Sequence, residues 1–148
     1  IMDLCHYLIG EFSSVMAINT KVSSLEIKAD DISELLVRHK NGVLSSIHTD
    51  IFGRSHKKSI EIKGEEGNIR WNFYNNEVEI YQSNNKKIEK FSNFNKDFNN
   101  CYIEELKAFI TSFTDKKKSP IPLKDGIDTM KLILAAEKSE VSRKEELI

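Results

Sequence analysis

The residues best suited to chemistry lie near the end of one long apolar segment, Val43 to Phe52. Alternate residues of a β-strand point to the same side, so His48 and Asp50 share one face, and Arg54 follows the strand. An imidazole, a carboxylate and a guanidinium are suited to hold a small polyhydroxylated or anionic ligand. The alternative is that they solvate an exposed face or form cross-strand pairs. We name all three as substrate-binding candidates.

A second pair lies at the start of the chain, where Asp3 and His6 are spaced to project from one side of a helix. If that side faced a cleft, the pair would be suited to general acid–base catalysis. The alternative, which we favour, is a solvated helix flank or a local pair. His39, beside a turn, and His56, in a basic loop, have no carboxylate neighbours in sequence, so we expect both to be exposed.

The four histidines and two cysteines do not form a recognisable metal-binding set, so we predict no metal site. Cys5 and Cys101 lie in apolar helical segments, which predicts free buried thiols. The Gly64-Glu65-Glu66-Gly67 segment joins strand to strand, whereas phosphate-binding loops lead into a helix. We therefore expect no cofactor to bind to this chain by itself.

Composition excludes other classes of function. The 148 residues carry 22 Lys and Arg against 23 Asp and Glu, and a net charge of -1 favours neither nucleic acid nor an acidic membrane. No apolar run approaches the roughly 20 residues of a membrane span, and no signal-peptide pattern is present, so we expect a cytoplasmic protein. We expect one domain over residues 1–148, and Ile1, which is not an initiator, indicates a piece of a longer protein.

The spacing of apolar residues predicts mostly strands in the first half of the chain. A helix ends at Gly10, and Asn41-Gly42 between two apolar runs predicts a β-hairpin. Shorter alternating segments follow between tight turns, which indicates an antiparallel sheet. Trp71 and Phe73 fall on the same strand face as Ile69, so we expect them in the core.

The second half predicts helices. Lys86 to Asn100 is rich in Asn and Lys, and we expect a connecting loop there. A helix is predicted around residues 103–113, and Asp125 is suited to cap a last helix. That helix carries an apolar face, which we expect to pack, formed by Ile127, Met130, Ile133 and Leu134, and we expect Ala135 and Ala136 to allow close packing. The fold class is therefore α+β, with helices on one face of a mainly antiparallel sheet and the other face open for substrate or oligomerisation.

Together these segments resemble the C-terminal domain of the glucose-fructose oxidoreductase, inositol dehydrogenase and rhizopine catabolism (Gfo/Idh/MocA) family. The most specific stretch is Ile60 to Trp71, an apolar strand, a Gly-x-x-Gly turn and a second strand. Other similar segments are Met2 to Gly10, Ala29 to Gly42, Glu105-Leu106 with Phe109, Pro120 or Pro122, and Ala135-Ala136 with Ser139.

This resemblance implies an N-terminal dinucleotide-binding domain, absent from this chain, that holds NAD or NADP. The catalytic histidine of the family would lie just upstream of Ile1, so no catalytic residue is expected here. Asp3 and His6 are left as candidates to support it, and His48, Asp50 and Arg54 as candidates to contact a sugar.

The leading interpretation of function is an NAD(P)-dependent oxidoreductase acting on a sugar or sugar derivative, in which this chain shapes the substrate site and the subunit interface. We expect a homo-oligomer, a dimer through the open sheet face. The alternative is a non-catalytic dimerisation or binding module.

Overall fold

The structure is a computed structural model that describes residues 1–92 and 97–148. It divides into two compact units, Ile1–Phe52 with Ser112–Ile148, and Gly53–Thr111. The predicted α+β class with antiparallel sheets is confirmed, and the prediction of a single domain over residues 1–148 stays a prediction. The elements in chain order are α1 (Met2–Ile9), β1 (Phe12–Thr20), β2 (Ile32–His39), β3 (Leu44–Asp50), β4 (Ser59–Gly64), β5 (Gly67–Asn72), β6 (Glu77–Gln82), β7 (Lys87–Phe91), α2 (Phe98–Thr114), α3 (Leu123–Ser142) and β8 (Glu146–Leu147).

The first unit contains a four-stranded antiparallel sheet in the order β3-β2-β1-β8. The predicted hairpin at Asn41-Gly42 is confirmed, and Gly42 has a φ of 89°, in the region that favours glycine. Ala17, Leu35 and Ile47 pair across three strands and are all buried. The alternation of the strands therefore gives this sheet one buried face and one opposite face.

Helices α1 and α3 lie on the buried face. Met2 and Cys5 of α1 pack against the same core that α3 enters. The buried apolar side chains of this core are Phe12, Val15, Ala17, Leu35, Val37, Ile47, Leu132, Ala135 and Ala136. Small alanine side chains let α3 approach the sheet closely, so the packed side of α3 is its alanine side.

The predicted close packing through Ala135 and Ala136 is therefore confirmed, whereas the predicted apolar packing face of α3 is wrong. Ile127, Met130 and Leu134 are exposed, and Ile133 is half-buried. The predicted cap is also wrong, because α3 begins at Leu123 and places Asp125 inside its first turn. There the carboxylate still suits the positive end of the helix dipole.

Ser139 joins α3 to two other parts of the first unit. Its fully buried hydroxyl accepts a hydrogen bond from the backbone N–H of Ala17 in β1 at 3.0 Å. It donates to the carbonyl of Lys144 at 2.6 Å, just before β8. One hydroxyl thereby satisfies two backbone groups at the helix–sheet contact.

The expectation that His39 is exposed is wrong, because only 3% of it is accessible. Nδ1 lies 2.9 Å from the carbonyl of Gly10, and Nε2 lies 2.9 Å from the hydroxyl of Ser45. A carbonyl can only accept, so Nδ1 carries the proton and Nε2 accepts from Ser45. The ring of Phe12 packs between those of His6 and His39, which fixes the end of α1 against the hairpin.

Asp31 organises the long connection between β1 and β2. Its buried carboxylate accepts from the backbone N–H groups of Val22 and Ser23 at 2.8 and 2.9 Å and from the Ser23 hydroxyl. Burial raises the pKa of Asp31, but the hydrogen bonds from Ser23 and Val22 outweigh it and leave the pKa below its usual range.

The second unit contains an antiparallel sheet in the order β4-β5-β6-β7. Strand β7 corrects the predicted loop over Lys86 to Asn100, of which residues 93–96 lie outside the described part. The Gly-x-x-Gly turn joins β4 to β5 as predicted. Gly67 is required there, because a Cβ on it would lie 1.9 Å from the carbonyl oxygen of Tyr81.

No described residue of the second unit is fully buried, so the prediction that Trp71 and Phe73 lie in a core is wrong for this unit. Both are half-buried, and the Lys58 ammonium lies 4.6 Å from the Phe73 ring centre. Helix α2 is confirmed, with exposed apolar side chains. Of the two free thiols, Cys101 is exposed, contrary to expectation, whereas half-burial raises the pKa of Cys5.

We predict that Ser139→Ala lowers the free energy of unfolding by about 1–3 kcal/mol, because it leaves the buried N–H of Ala17 and the carbonyl of Lys144 without their hydrogen-bond partner. Urea unfolding followed by circular dichroism measures this loss. The matched control is Ser24→Ala, in an exposed loop, which should change stability by less than about 0.5 kcal/mol. Equal effects of the two substitutions would contradict the account.

Candidate functional site

The structure brings two of the three substrate-binding candidates, His48 and Asp50, together and adds a second carboxylate, Glu34. On the exposed side of β3, His48 Nδ1 lies 2.5 Å from Glu34 Oε1, and His48 Nε2 lies 3.1 Å from Asp50 Oδ2. Glu34 stands opposite His48 across the β2–β3 pair. Sequence reasoning missed Glu34, although a hairpin centred on Asn41 places residues 34 and 48 at equal distances from the turn.

The geometry of this cluster favours a positive charge on His48. An ionised carboxylate can only accept, so the two contacts together favour the protonated imidazole, in which both ring nitrogens donate. The hydrogen bond to Glu34, and then that to Asp50, raise the pKa of His48 above its usual range. With both nitrogens donating, His48 has no lone pair to act as a base. In its protonated form His48 therefore acts as a hydrogen-bond donor within the Glu34–His48–Asp50 cluster.

Apolar side chains surround this cluster on the same side of the sheet, which we call the open face. Four of them on β1, β2 and β3 are about half exposed: Met16 48%, Ile18 54%, Leu36 51% and Leu44 54%. Leu147, opposite Ser14, belongs to this side as well and is exposed. Arg38 lies there too and pairs through Nε with Glu145 at 3.0 Å. The open face is thus an apolar surface with charged groups at defined positions.

Arg54, the third substrate-binding candidate, lies in the second unit. Its place relative to His48 and Asp50 stays a prediction. The second unit has its own groove of about 400 Å³ on one side of its sheet. A row of alternating charges crosses that groove, formed by Glu61, Arg70, Glu79 and Lys90. Arg70 pairs with Glu61 and Lys90 pairs with Glu79, so the positive and negative charges of the row neutralise one another.

The other candidate pair lies on the helix side of the first sheet. Asp3 is exposed, whereas the His6 side chain is only 10% accessible. His6 Nε2 is buried without a hydrogen-bond partner among the described residues, and it lies 3.9 Å from Asp128 Oδ2. Lys124 and then Lys131 hold the pKa of Asp128 down at about 2. His6 therefore faces a carboxylate that is ionised at any ordinary pH.

Lys124 links this part of α3 to the start of β1. Its ammonium contacts Asp128 Oδ2 at 2.6 Å and Glu11 Oε1 at 2.9 Å. Hydrogen bonds from Lys40 and then Lys124 lower the pKa of Glu11 to about 2. The exposed ends of α1, β1 and α3 are thereby held by one network of charges.

The two candidate sets lie on opposite sides of one sheet. Ile47 points into the core beneath α1 and α3, and its neighbour His48 points away from it. Asp3 and His6 therefore cannot share a pocket of the first unit with His48 and Asp50.

Two classes of feature are missing from the part of the chain that the structure describes. Over residues 1–92 and 97–148, no group of three or more His, Cys, Asp or Glu side chains is placed to hold a metal ion. In the same ranges, no helix is both long and apolar enough to cross a membrane.

Comparison with known proteins identifies the fold. Residues 1–145 match the model of the Gfo/Idh/MocA oxidoreductase family, C-terminal alpha/beta domain. The chain belongs to this family. The resemblance inferred from the sequence is thereby confirmed over nearly the whole chain. A search of curated protein sequences finds no match.

Solved structures agree on the fold of this C-terminal domain. A levoglucosan dehydrogenase in complex with NADH matches with a TM-score of 0.88 and 19% identity, over 100% of this chain and 48% of its own. An oxidoreductase domain protein from Kribbella flavida matches with a TM-score of 0.87 and 16% identity, over 99% of this chain and 47% of its own. An Agrobacterium radiobacter oxidoreductase was solved with NAD+, L-tartaric acid and magnesium. It matches with a TM-score of 0.81 and 18% identity, over 97% of this chain and 45% of its own. The chain spans about half the length of these proteins.

We predict that the contribution of His48 to stability depends on pH. Its pKa is raised on folding, so the contribution is fully present below the unfolded value of 6.5 and is lost as pH rises through the folded pKa. His48→Gln should therefore destabilise the protein at about pH 5.5 and much less at about pH 9. The difference in unfolding free energy between wild type and variant at the two pH values measures this. His56→Gln, an exposed control, should show no such dependence, and a larger effect of His48→Gln at high pH would contradict the assignment.

Proposed function

We propose that the intact protein is an NAD(P)-dependent oxidoreductase that moves hydride to or from a carbinol of a sugar or sugar derivative. The family match over residues 1–145 is the observation that carries this proposal. This chain is its C-terminal domain, which shapes the substrate side and the subunit contacts. A cytoplasmic location is part of the proposal.

Compounds bound to the similar structures support the substrate class. Levoglucosan dehydrogenase has been solved with levoglucosan and with L-sorbose, and the Agrobacterium radiobacter protein with L-tartaric acid. All three compounds are small and carry several hydroxyl groups. We extend that class to this protein because it shares the fold of about half of each of those proteins.

We assign the helix side of the first sheet to the reaction. By the family resemblance the catalytic histidine immediately precedes α1, whose packing side contains His6 and whose exposed side contains Asp3. His6 and Asp128 hold α1 against α3 and so fix the direction in which that histidine points. A nicotinamide cofactor, when bound, supplies the hydride chemistry. This chain supplies rigid positioning, which is what orients a substrate for transfer.

We also propose that the rest of the intact protein covers a second apolar stripe of α3. Its members are separated by three or four residues and are all exposed: Leu123, Ile127, Met130 and Leu134. Burying an apolar helix face of this length against another domain would stabilise the protein relative to leaving it in water. This chain spans about half the length of the similar structures. We propose that a domain of comparable size in the intact protein covers this stripe of α3.

The open face is assigned to subunit contacts. His48 and Asp50 then lie within an interface, and a direct contact of His48, Asp50 and Arg54 with sugar hydroxyls remains the alternative. Half-exposed apolar side chains around the cluster favour the interface. The same observation favours the second candidate function, a non-catalytic pairing module.

Cofactor binding separates the two functions. We expect the intact protein to bind NADH or NADPH in a calorimetric titration and to reduce NAD+ or NADP+ with a member of a panel of sugars and polyols. We expect this chain alone, checked for folding by circular dichroism, to bind neither. An intact protein that binds no nicotinamide cofactor would leave the pairing module as the better function, and tight binding by this chain alone would contradict the domain assignment.

A further inference from the structure

We propose that the β2–β3 hairpin fixes the direction of α1, and that His39 and Asn41 are therefore positioning residues for the reaction of the intact protein. The last step rests on the proposed function, in which the catalytic histidine immediately precedes α1. The inference goes further by assigning this task to hydrogen-bond donors at the opposite end of α1 from that histidine.

The carbonyl groups at the end of α1 and just after it accept hydrogen bonds from the hairpin. We call this set the α1 clamp, and it consists of Asn41 Nδ2 to the Ile9 carbonyl at 2.7 Å, His39 Nδ1 to the Gly10 carbonyl at 2.9 Å, and the Lys40 N–H to the Glu11 carbonyl at 2.9 Å. The last carbonyls of a helix have no partner within the helix. The hairpin therefore supplies donors that α1 itself lacks.

The α1 clamp acts where the chain is most free to turn. Gly10 links α1 to β1 with a φ of 112°, and without a side chain it does not fix the angle between them. Helix α1 has only 8 residues, and a helix of that length is not stable by itself in water. Its direction therefore depends on the clamp and on the packing of Met2 and Cys5 against the core.

A small rotation at this joint has a large effect at the far end of α1. Its residues span about 12 Å, so a rotation of about 5° at Gly10 moves the first residue of the helix by about 1 Å. A reacting group displaced by about 1 Å can lose about a hundredfold in rate. The clamp is thus placed to determine where the histidine before α1 points, without contacting the substrate.

His39 is the stronger of the two side-chain donors. It is only 3% accessible, so water does not replace its hydrogen bond to Gly10. The Ser45 hydroxyl donates to Nε2 and so keeps the proton on Nδ1, toward Gly10. Asn41 is exposed, and water offsets part of the loss when its amide is removed. We therefore expect the larger effect at His39.

Two substitutions separate the donor of His39 from its ring. His39→Phe keeps a ring against Phe12 and has no donor, whereas His39→Asn has no ring and keeps an amide N–H close to the position of Nδ1. Asn41→Asp is the milder test. Its carboxylate still accepts from the Val43 N–H in the turn but no longer donates to Ile9.

The alkylation rate of Cys5 reports how firmly α1 is held. This half-buried thiol packs against the core, and the exposed thiol of Cys101 in the same protein serves as the reference. We expect iodoacetamide to label Cys5 about tenfold faster in His39→Phe than in the wild-type intact protein, and within about twofold of wild type in His39→Asn. The rate in Asn41→Asp should lie between these two. Mass spectrometry of the two cysteine peptides measures the rates.

The kinetics of the intact protein test the link to the reaction. With the sugar or polyol that the panel identifies, we expect His39→Phe to lower kcat about tenfold or more, with a smaller change in KM. His39→Asn should restore kcat to within about threefold of wild type. A purely structural role of His39 would lower the melting temperature and leave kcat unchanged at temperatures where the variant is folded.

The labelling outcomes test the clamp by itself. Equal Cys5 rates in wild type, His39→Phe and Asn41→Asp overturn the clamp, whether or not the protein binds a nicotinamide cofactor. Faster labelling in His39→Asn than in His39→Phe overturns the role of the donor and assigns it to the ring. If His39→Phe is unfolded, as its melting temperature shows, Asn41→Asp replaces it in both measurements.

The kinetic outcomes test the positioning role. An unchanged kcat in a variant whose Cys5 reacts faster overturns that role and leaves the proposed function intact. An intact protein that binds no nicotinamide cofactor overturns the proposed function and the positioning role with it, and the Cys5 rates still decide whether the hairpin holds α1.

Discussion

The close packing of α3 against β1 is the contact on which the first unit depends. Ala135 and Ala136 bring the helix near the sheet, and Leu132 fills the space between them and the strands. The hydroxyl of Ser139 satisfies the N–H of Ala17, which this contact would otherwise bury without a partner. Larger side chains at these positions would separate helix and sheet and would open the core.

This packing gives the sheet two sides with different chemistry. His39 and His48 lie on adjacent strands of the same hairpin, yet one is buried and bonded to neutral groups, and the other is exposed between two carboxylates. The helix side holds α1 rigidly through His39, Phe12 and the charges around Asp128. The open side carries exposed apolar side chains and solvent-accessible charged side chains. We connect the first side with the reaction of the intact protein and the second with its assembly.

Much of the fold could be predicted from short-range patterns, because Asn41-Gly42 and the Gly-x-x-Gly turn each specify one local geometry. Strand β7 could not, since its pairing with β6, in which Glu77 and Glu79 contact Lys90, is not visible in its own composition. The packed side of α3 could be predicted only in part: Ala135 and Ala136 indicated close packing, but the helix also carries a second row of apolar residues, and periodicity does not say which row meets the sheet. His48 and Asp50 were predicted as a pair from the alternation along one strand. Glu34 lies on the neighbouring strand, so its place beside His48 depends on the register of the β2–β3 pairing.

The central claim is that the helix side and the open side of the first sheet contact different partners. Two exposed methionines report on the two sides, Met130 on α3 and Met16 on β1, and Met2, packed against the core, serves as the reference. Oxidation of each by brief exposure to hydroxyl radicals can be followed in the intact protein over a range of protein concentrations. The account predicts that Met16 becomes protected as concentration rises, whereas Met130 is protected at every concentration. A Met16 that oxidises rapidly at all concentrations, or a Met130 whose protection follows concentration, would contradict it.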